Sequence, residues 1–197
     1  MDSADIQEKD AEFYNKKIAK RPEDFIQPIY NYHDVDKCLK QFIAINYDRP
    51  FQLCEGVTMT LRDAGHVLGS AEVILDVEEE GKTRRLVFSG DLGRKRIPIL
   101  KDPTLISDAE IMILESTYGN RMHDPIEIAD DKLAEAVKAI YERKGKIIIP
   151  SFALERTQEI LYSFHKLLKA NRIPRIPVYV DSPLAIKVTD IFRLHPE

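Results

Sequence analysis

Cysteine is nearly absent. Cys38 and Cys54 are the only two in 197 residues, and no CxxC pair exists. That argues against a thiolate zinc cluster, and both are expected as free, largely buried thiols in a reducing compartment. No apolar run approaches the roughly 20 residues that a bilayer-spanning helix needs. A basic excess is missing too: 29 Lys and Arg face 33 Asp and Glu, for a net charge of −4. A polyanionic partner would therefore have to meet a local patch or further parts of the protein. The candidate patches, "KTRR" (residues 82–85) and "GRKR" (residues 93–96), each read on their own as solvated loop charge. The first residues, "MDSADIQEKDAEFYNKK", are polar and acidic, unlike a secretory signal or a transit peptide, and point to the cytoplasm. There is no internal repeat and no low-complexity tract.

What is present is an ordinary globular composition, 44% hydrophobic and 31% charged. The apolar pattern predicts a helix over residues 2–20, capped by Asp2 or Ser3, and a second over "NYHDVDKCLKQFIAI" with Val35, Cys38, Leu39, Phe42 and Ile43 on one side. The period then changes to two. Residues 57–64, 71–79 and 84–90 predict strands, with "EEEGKT" as a hairpin turn, and "AEIMILES" (residues 109–116) predicts a strand buried on both faces. Beyond residue 117 the order becomes helix, strand "KIIIP", helix, strand "IPVYVDSPLA", helix, with Gly145 as one helix stop. That alternation predicts a parallel sheet, and two strands are too few for a free-standing one, so the second domain is expected to be cut short.

Three polar residues stand at strand ends in Gly- or Ser-bearing turns. His66 lies in "DAGHVLGSA" between Gly65 and Gly69, which permit backbone angles that would present an imidazole outward from a rigid edge. Asp91 lies in "FSGDLGR", where it is either a turn-former or a carboxylate able to bridge two cations. Glu115 closes "IMILE" and opens "STYG"; it is either a turn or cap residue or an acid/base at the mouth of a site. A sheet edge that collects these turns would give a candidate active-site edge of carboxylate and imidazole, with or without a metal.

Taken with "DSADIQEKDA", "PILKDP", "LESTYGNRMH", "IPSFALERTQEIL" and "VDSPLA", in this order, these segments resemble the β-CASP group of metallo-β-lactamase-fold hydrolases over nearly the whole chain. The resemblance is to RNA-specific bacterial and archaeal members, relatives of the nuclease subunit of the cleavage and polyadenylation machinery. It implies an α/β protein: residues 1–117 as part of a metallo-β-lactamase αββα sandwich and residues 118–197 as the first part of a β-CASP parallel α/β domain. It further implies zinc-dependent phosphodiester hydrolysis of RNA, with two Zn²⁺ per complete site, His66 as a ligand to one zinc, Asp91 bridging both, and Glu115 in positioning and proton transfer. Arg156 and Ser116 are then candidate substrate contacts, Arg156 being equally readable as an exposed helix arginine. The implied partner is single-stranded RNA, with no membrane and with a homodimer as the expected assembly of the complete protein. A DNA-directed nuclease and a non-catalytic partner subunit are the alternatives, and endo- and exonucleolytic action both stay open.

The chain also departs from the group. The HxHxDH motif is missing, because none of the five histidines precedes His33, and the late β-CASP histidines are missing too. "ALER" places Glu155 where many relatives have glycine, and His123 in "YGNRMH" has no assigned role, while His165 and His195 are expected on helix surfaces. The expectation is an internal segment of a longer hydrolase that, alone, holds no stoichiometric zinc and has no nuclease activity.

Overall fold

A computed structural model describes residues 1–122, 125 and 128–195. The residues group into two units, Met1–Ala44 and Ile45–Glu197. In the first, helix α1 spans Asp2–Lys17 and α2 spans Tyr32–Leu39, joined through a short 3₁₀ turn at Pro22–Asp24. The α1 cap is Met1, with no side-chain hydrogen bond, rather than Asp2 or Ser3. By contrast, α2 starts on a capping box, in which the Asn31 side chain accepts from the His33 and Asp34 amides and Asp34 accepts from the Asn31 amide. Helix α2 ends before Phe42 and Ile43, so these two lie outside it and are exposed.

The second unit is built on one sheet of order β1-β2-β3-β4-β5. Its strands are β1 (Phe51–Cys54), β2 (Val57–Asp63), β3 (Ala71–Glu79), β4 (Lys82–Phe88) and β5 (Ile111–Ile113). The first four are antiparallel neighbours and β5 joins β4 in parallel. The three strands read from the period-two pattern are β2, β3 and β4, and the predicted hairpin turn joins β3 to β4 through Glu80 and Gly81, both at positive φ. Arg85 of β4 grips Asp76 of β3 with two hydrogen bonds, at 2.7 and 2.9 Å, and also bonds Asp108. The bidentate fork fixes the register of these two strands just where β5 enters.

Three helices follow: α3 (Ala129–Glu142), α4 (Arg156–Lys169) and α5 (Pro183–Phe192). Ala134 and Val137 of α3 meet Phe164 and Leu167 of α4 and Ile173 in a buried cluster. Each large side chain there contributes about 1.5–3 kcal/mol by leaving water. Gln158 ties α5 to α4, donating to the Ala153 carbonyl and to Thr189 Oγ1. The α/β class is thus as expected, in a mixed five-stranded sheet with helices.

Several expectations are corrected. β5 is three residues long and exposed on both faces rather than buried. Residues 146–150 and the stretch 176–181 form no strand, and Ile148, Phe152 and Tyr179 stand at least 85% exposed. A strand exists only where a neighbour satisfies its amides and carbonyls, and among the described residues none lies beside these segments. For the same reason Cys38 and Cys54 are free but exposed, since β1 is an edge strand and α2 buries nothing. The left-handed residue that ends α3 is Lys144, not Gly145. His165 is exposed on α4, His195 lies beyond the end of α5, and His123 is outside the described residues.

Candidate metal and catalytic site

The turn that carries His66 leaves the end of β2 and returns to the start of β3. Polar side chains fold it from both ends. Asp63 Oδ1 accepts from the Gly65 amide at 2.9 Å, and Ser70 Oγ accepts from the His66 and Val67 amides at 3.0 and 3.2 Å. Such local side-chain bonds replace the ladder that the backbone has just left. Gly65 takes φ +60°, and a β-carbon there would lie 2.6 Å from the Lys101 carbonyl and 2.7 Å from the Pro103 nitrogen. The "PILKDP" segment therefore packs directly on the turn, held by a Thr104 amide to Asp63 carbonyl bond of 2.9 Å.

Asp91 follows β4 in the neighbouring turn. The two turns are joined by backbone: the Gly93 amide donates to the Ala64 carbonyl at 2.8 Å. A β-carbon on Gly93 would sit 1.6 Å from the Gly65 carbonyl oxygen, so only glycine fits. The consequence is convergence. His66 Nε2 and Asp91 Oδ2 come within 3.8 Å of each other on the exposed edge. That spacing suits two donors to shared cations, since an oxygen and a nitrogen each about 2.0–2.2 Å from one ion can lie this far apart.

Glu115 reaches the same edge from the end of β5. Its Oε1 accepts from the Leu92 amide at 2.7 Å, and its own amide donates to Ser89 Oγ at 3.0 Å. Ser89 is almost completely buried and acts as the joint between β4 and the Glu115 turn. The Leu92 amide, Thr117 and the nearby His66 hold the Glu115 carboxyl below the usual carboxylate range. Glu115 is accordingly an anion at neutral pH, suited to orient or accept a proton rather than to donate one. Of the two candidate substrate contacts, Ser116 is exposed beside it, and Arg156 is exposed at the head of α4, 3.0 Å from Glu159. Among the described residues, no group of three or more His, Cys, Asp or Glu side chains is placed to hold a metal. His66 and Asp91 form a pair.

The sequence reading missed the frame of this site. Asp63, Ser70 and Gly93 all lie inside the quoted motifs, and their spacing around His66 and Asp91 was the available signal. It also left Glu155 without a role. This residue is buried, with φ +68° and ψ −64°, and the Arg156 amide donates across it to the Leu154 carbonyl at 2.9 Å. That is a γ-turn of the positive-φ kind, rare and strained for any residue with a β-carbon. Burial, then the charge of Glu159, push its carboxyl up to about 7, against the weaker opposing pull of the Leu68 amide and Arg156. A raised carboxyl favours the folded state while protonated. Stability from it is complete below the ordinary 4.5 and is lost as pH rises through about 7. Urea unfolding should show the chain less stable at pH 8 than at pH 5, by no more than about 3 kcal/mol from this group. Glu155→Gln should flatten that difference; an unchanged pH dependence would assign it elsewhere.

Residues 157–197 match the Beta-Casp domain. The chain is 35% identical over 166 residues to "Ribonuclease TTHA0252" of Thermus thermophilus, an alignment covering 84% of this chain and 37% of that protein. It is 31% identical over 180 residues to an "RNase J-like protein" of Methanocaldococcus jannaschii, covering 85% and 41%. It is 28% identical over 169 residues to "Cleavage and polyadenylation specificity factor subunit 3" of Dictyostelium discoideum, covering 85% and 21%. The chain spans about two fifths or less of the length of these relatives.

Proposed function

We propose that this chain, which belongs to the β-CASP family of metallo-β-lactamase-fold proteins, supplies part of the active site of a metal-dependent RNA hydrolase of its relatives' full length. The observation that carries the reading is the meeting of His66 and Asp91 at 3.8 Å on turns locked together through Gly93. Zinc is the metal proposed, with His66 binding through Nε2 as a neutral imidazole and Asp91 through its carboxylate. When bound, such ions supply Lewis acidity and make water a nucleophile near neutral pH.

The chain's own groups do the positioning. Asp63 and Ser70 fix the backbone on either side of His66, so the ring is presented without loop rearrangement. Glu115, ionised and anchored to the Leu92 amide, accepts or orients a proton; the group that protonates the leaving 3′ oxygen is one that Glu115 positions. Arg156 and Ser116 are assigned as contacts to the RNA backbone, the guanidinium fork being suited to phosphate oxygens. Residues 1–117 and 118–197 are read as parts of the metallo-β-lactamase and β-CASP domains, with single-stranded RNA as substrate, a homodimer as the assembly and the cytoplasm as the setting.

The test is cleavage of matched single-stranded RNA and DNA oligonucleotides by the full-length protein, with and without chelator. Chelator-sensitive cleavage of RNA over DNA is expected. Equal cleavage of both would move the reading to a general or DNA-directed nuclease, and no cleavage by metal-loaded protein would contradict it.

A further inference from the structure

Two overlapping turns follow Glu115 at once. The Gly119 amide donates to the Ser116 carbonyl at 3.0 Å, and the Arg121 amide donates to the Tyr118 carbonyl at 3.2 Å. Both are closures of the β-turn kind, from one residue to the third after it. Tyr118 is therefore a central residue of the first turn and opens the second, which folds Arg121 back over it. The Arg121 guanidinium carbon lies 5.0 Å from the centre of the Tyr118 ring, within cation–π range. That contact fixes the ring plane, and Tyr118 still stands 52% exposed. Phe152 and Tyr179 are more exposed, but neither adjoins Glu115 in the chain. Three residues reach at most about 11 Å, and a turn shortens that. The ring is thus a short step from the edge where the Glu115 carboxylate is anchored to the Leu92 amide, next to Asp91.

We propose that the Tyr118 ring, held on one face by Arg121, is a stacking platform for one unpaired nucleobase of a strand lying along the Glu115 edge. This rests on the reading of that edge as a centre for RNA hydrolysis, and it adds the group that holds a base there. A base can lie on the ring only after leaving its own stack and pair, so the platform admits a single strand and not a duplex. Every base has a π-face, so it favours no sequence. It fixes where along the strand the backbone meets Glu115.

The test is equilibrium binding by the full-length protein, in chelator so that nothing is cleaved, in three forms: unaltered, Tyr118→Leu and Tyr118→Phe. The probes are one single-stranded RNA and a set of copies, each lacking the base at one position. Tyr118→Leu is expected to weaken binding of the intact strand about tenfold, the effect of losing one stacked base. Tyr118→Phe keeps the ring and should stay within about twofold. One of the abasic strands should bind the unaltered protein about tenfold more weakly, and that strand should lose nothing further with Tyr118→Leu, because both changes remove the same contact. Tyr118→Leu binding like the unaltered protein, Tyr118→Phe losing as much as Tyr118→Leu, or losses that add at every abasic position would each overturn the proposal. The abasic strands leave the protein unchanged, so a folding defect cannot imitate the coupling. Cleavage of RNA without this coupling would remove the platform and keep the hydrolase reading; coupling without cleavage by metal-loaded protein would do the reverse.

Discussion

Asp91→Ala in the full-length protein is expected to lower RNA hydrolysis by about 10³-fold, the upper range for losing one preorganised charged group at a reacting centre. His66→Ala should cost a similar factor. The double variant should be little worse than either alone, because two donors to one centre act as a unit and their losses do not add. The structural basis is the 3.8 Å approach of the two side chains on the exposed edge, where neither contributes to the buried core. Both single variants should therefore melt within about 1 kcal/mol of the unaltered protein in the absence of metal. Steady-state cleavage of a single-stranded RNA, with melting curves alongside, checks this. Full activity in Asp91→Ala would remove Asp91 from the reaction.

Gly93→Ala should be the most destabilising single methyl addition in the second unit. The added carbon would overlap the Gly65 carbonyl oxygen at 1.6 Å and the His66 nitrogen at 2.7 Å, all backbone atoms that no rotamer change can move. Separating the turns also breaks the Gly93 amide to Ala64 carbonyl bond. Overpacking of this kind costs on the order of 3 kcal/mol, and a chain of this size loses about 2–4 °C per kcal/mol. Gly69→Ala is the matched control, because a β-carbon there meets nothing within 4 Å and strains only the backbone. Thermal unfolding of the 197-residue chain reads both. Equal, small losses would show that the turns are not locked through Gly93.

How much of this was legible in the sequence differs from element to element. Strands β2, β3 and β4 alternate cleanly, and their hairpin turn carries Gly81, so local chemistry decides them. The presentation of His66 followed from its flanking glycines, and that of Asp91 from its "SGD" turn. What decides the meeting of the two turns is a backbone contact between Gly65 and Gly93, 28 positions apart in the chain, and no period or local motif encodes such a contact. The apolar runs "IMIL" and "KIII" read as buried strands because composition reports what a segment would bury, not whether a neighbour is there to bury it. In the described residues Ile111 and Ile148 are exposed for lack of that neighbour. At Glu155 the sequence offered only a departure from the glycine of many relatives, because its positive φ and burial exist only in the folded chain.

The central claim is that His66 and Asp91 grip the same metal centre. Anomalous diffraction at the zinc absorption edge, from crystals of the full-length protein, measures it directly. The account predicts zinc within about 2.0–2.2 Å of both His66 Nε2 and an Asp91 carboxylate oxygen. Zinc held elsewhere, with either side chain turned away from it, would contradict the account.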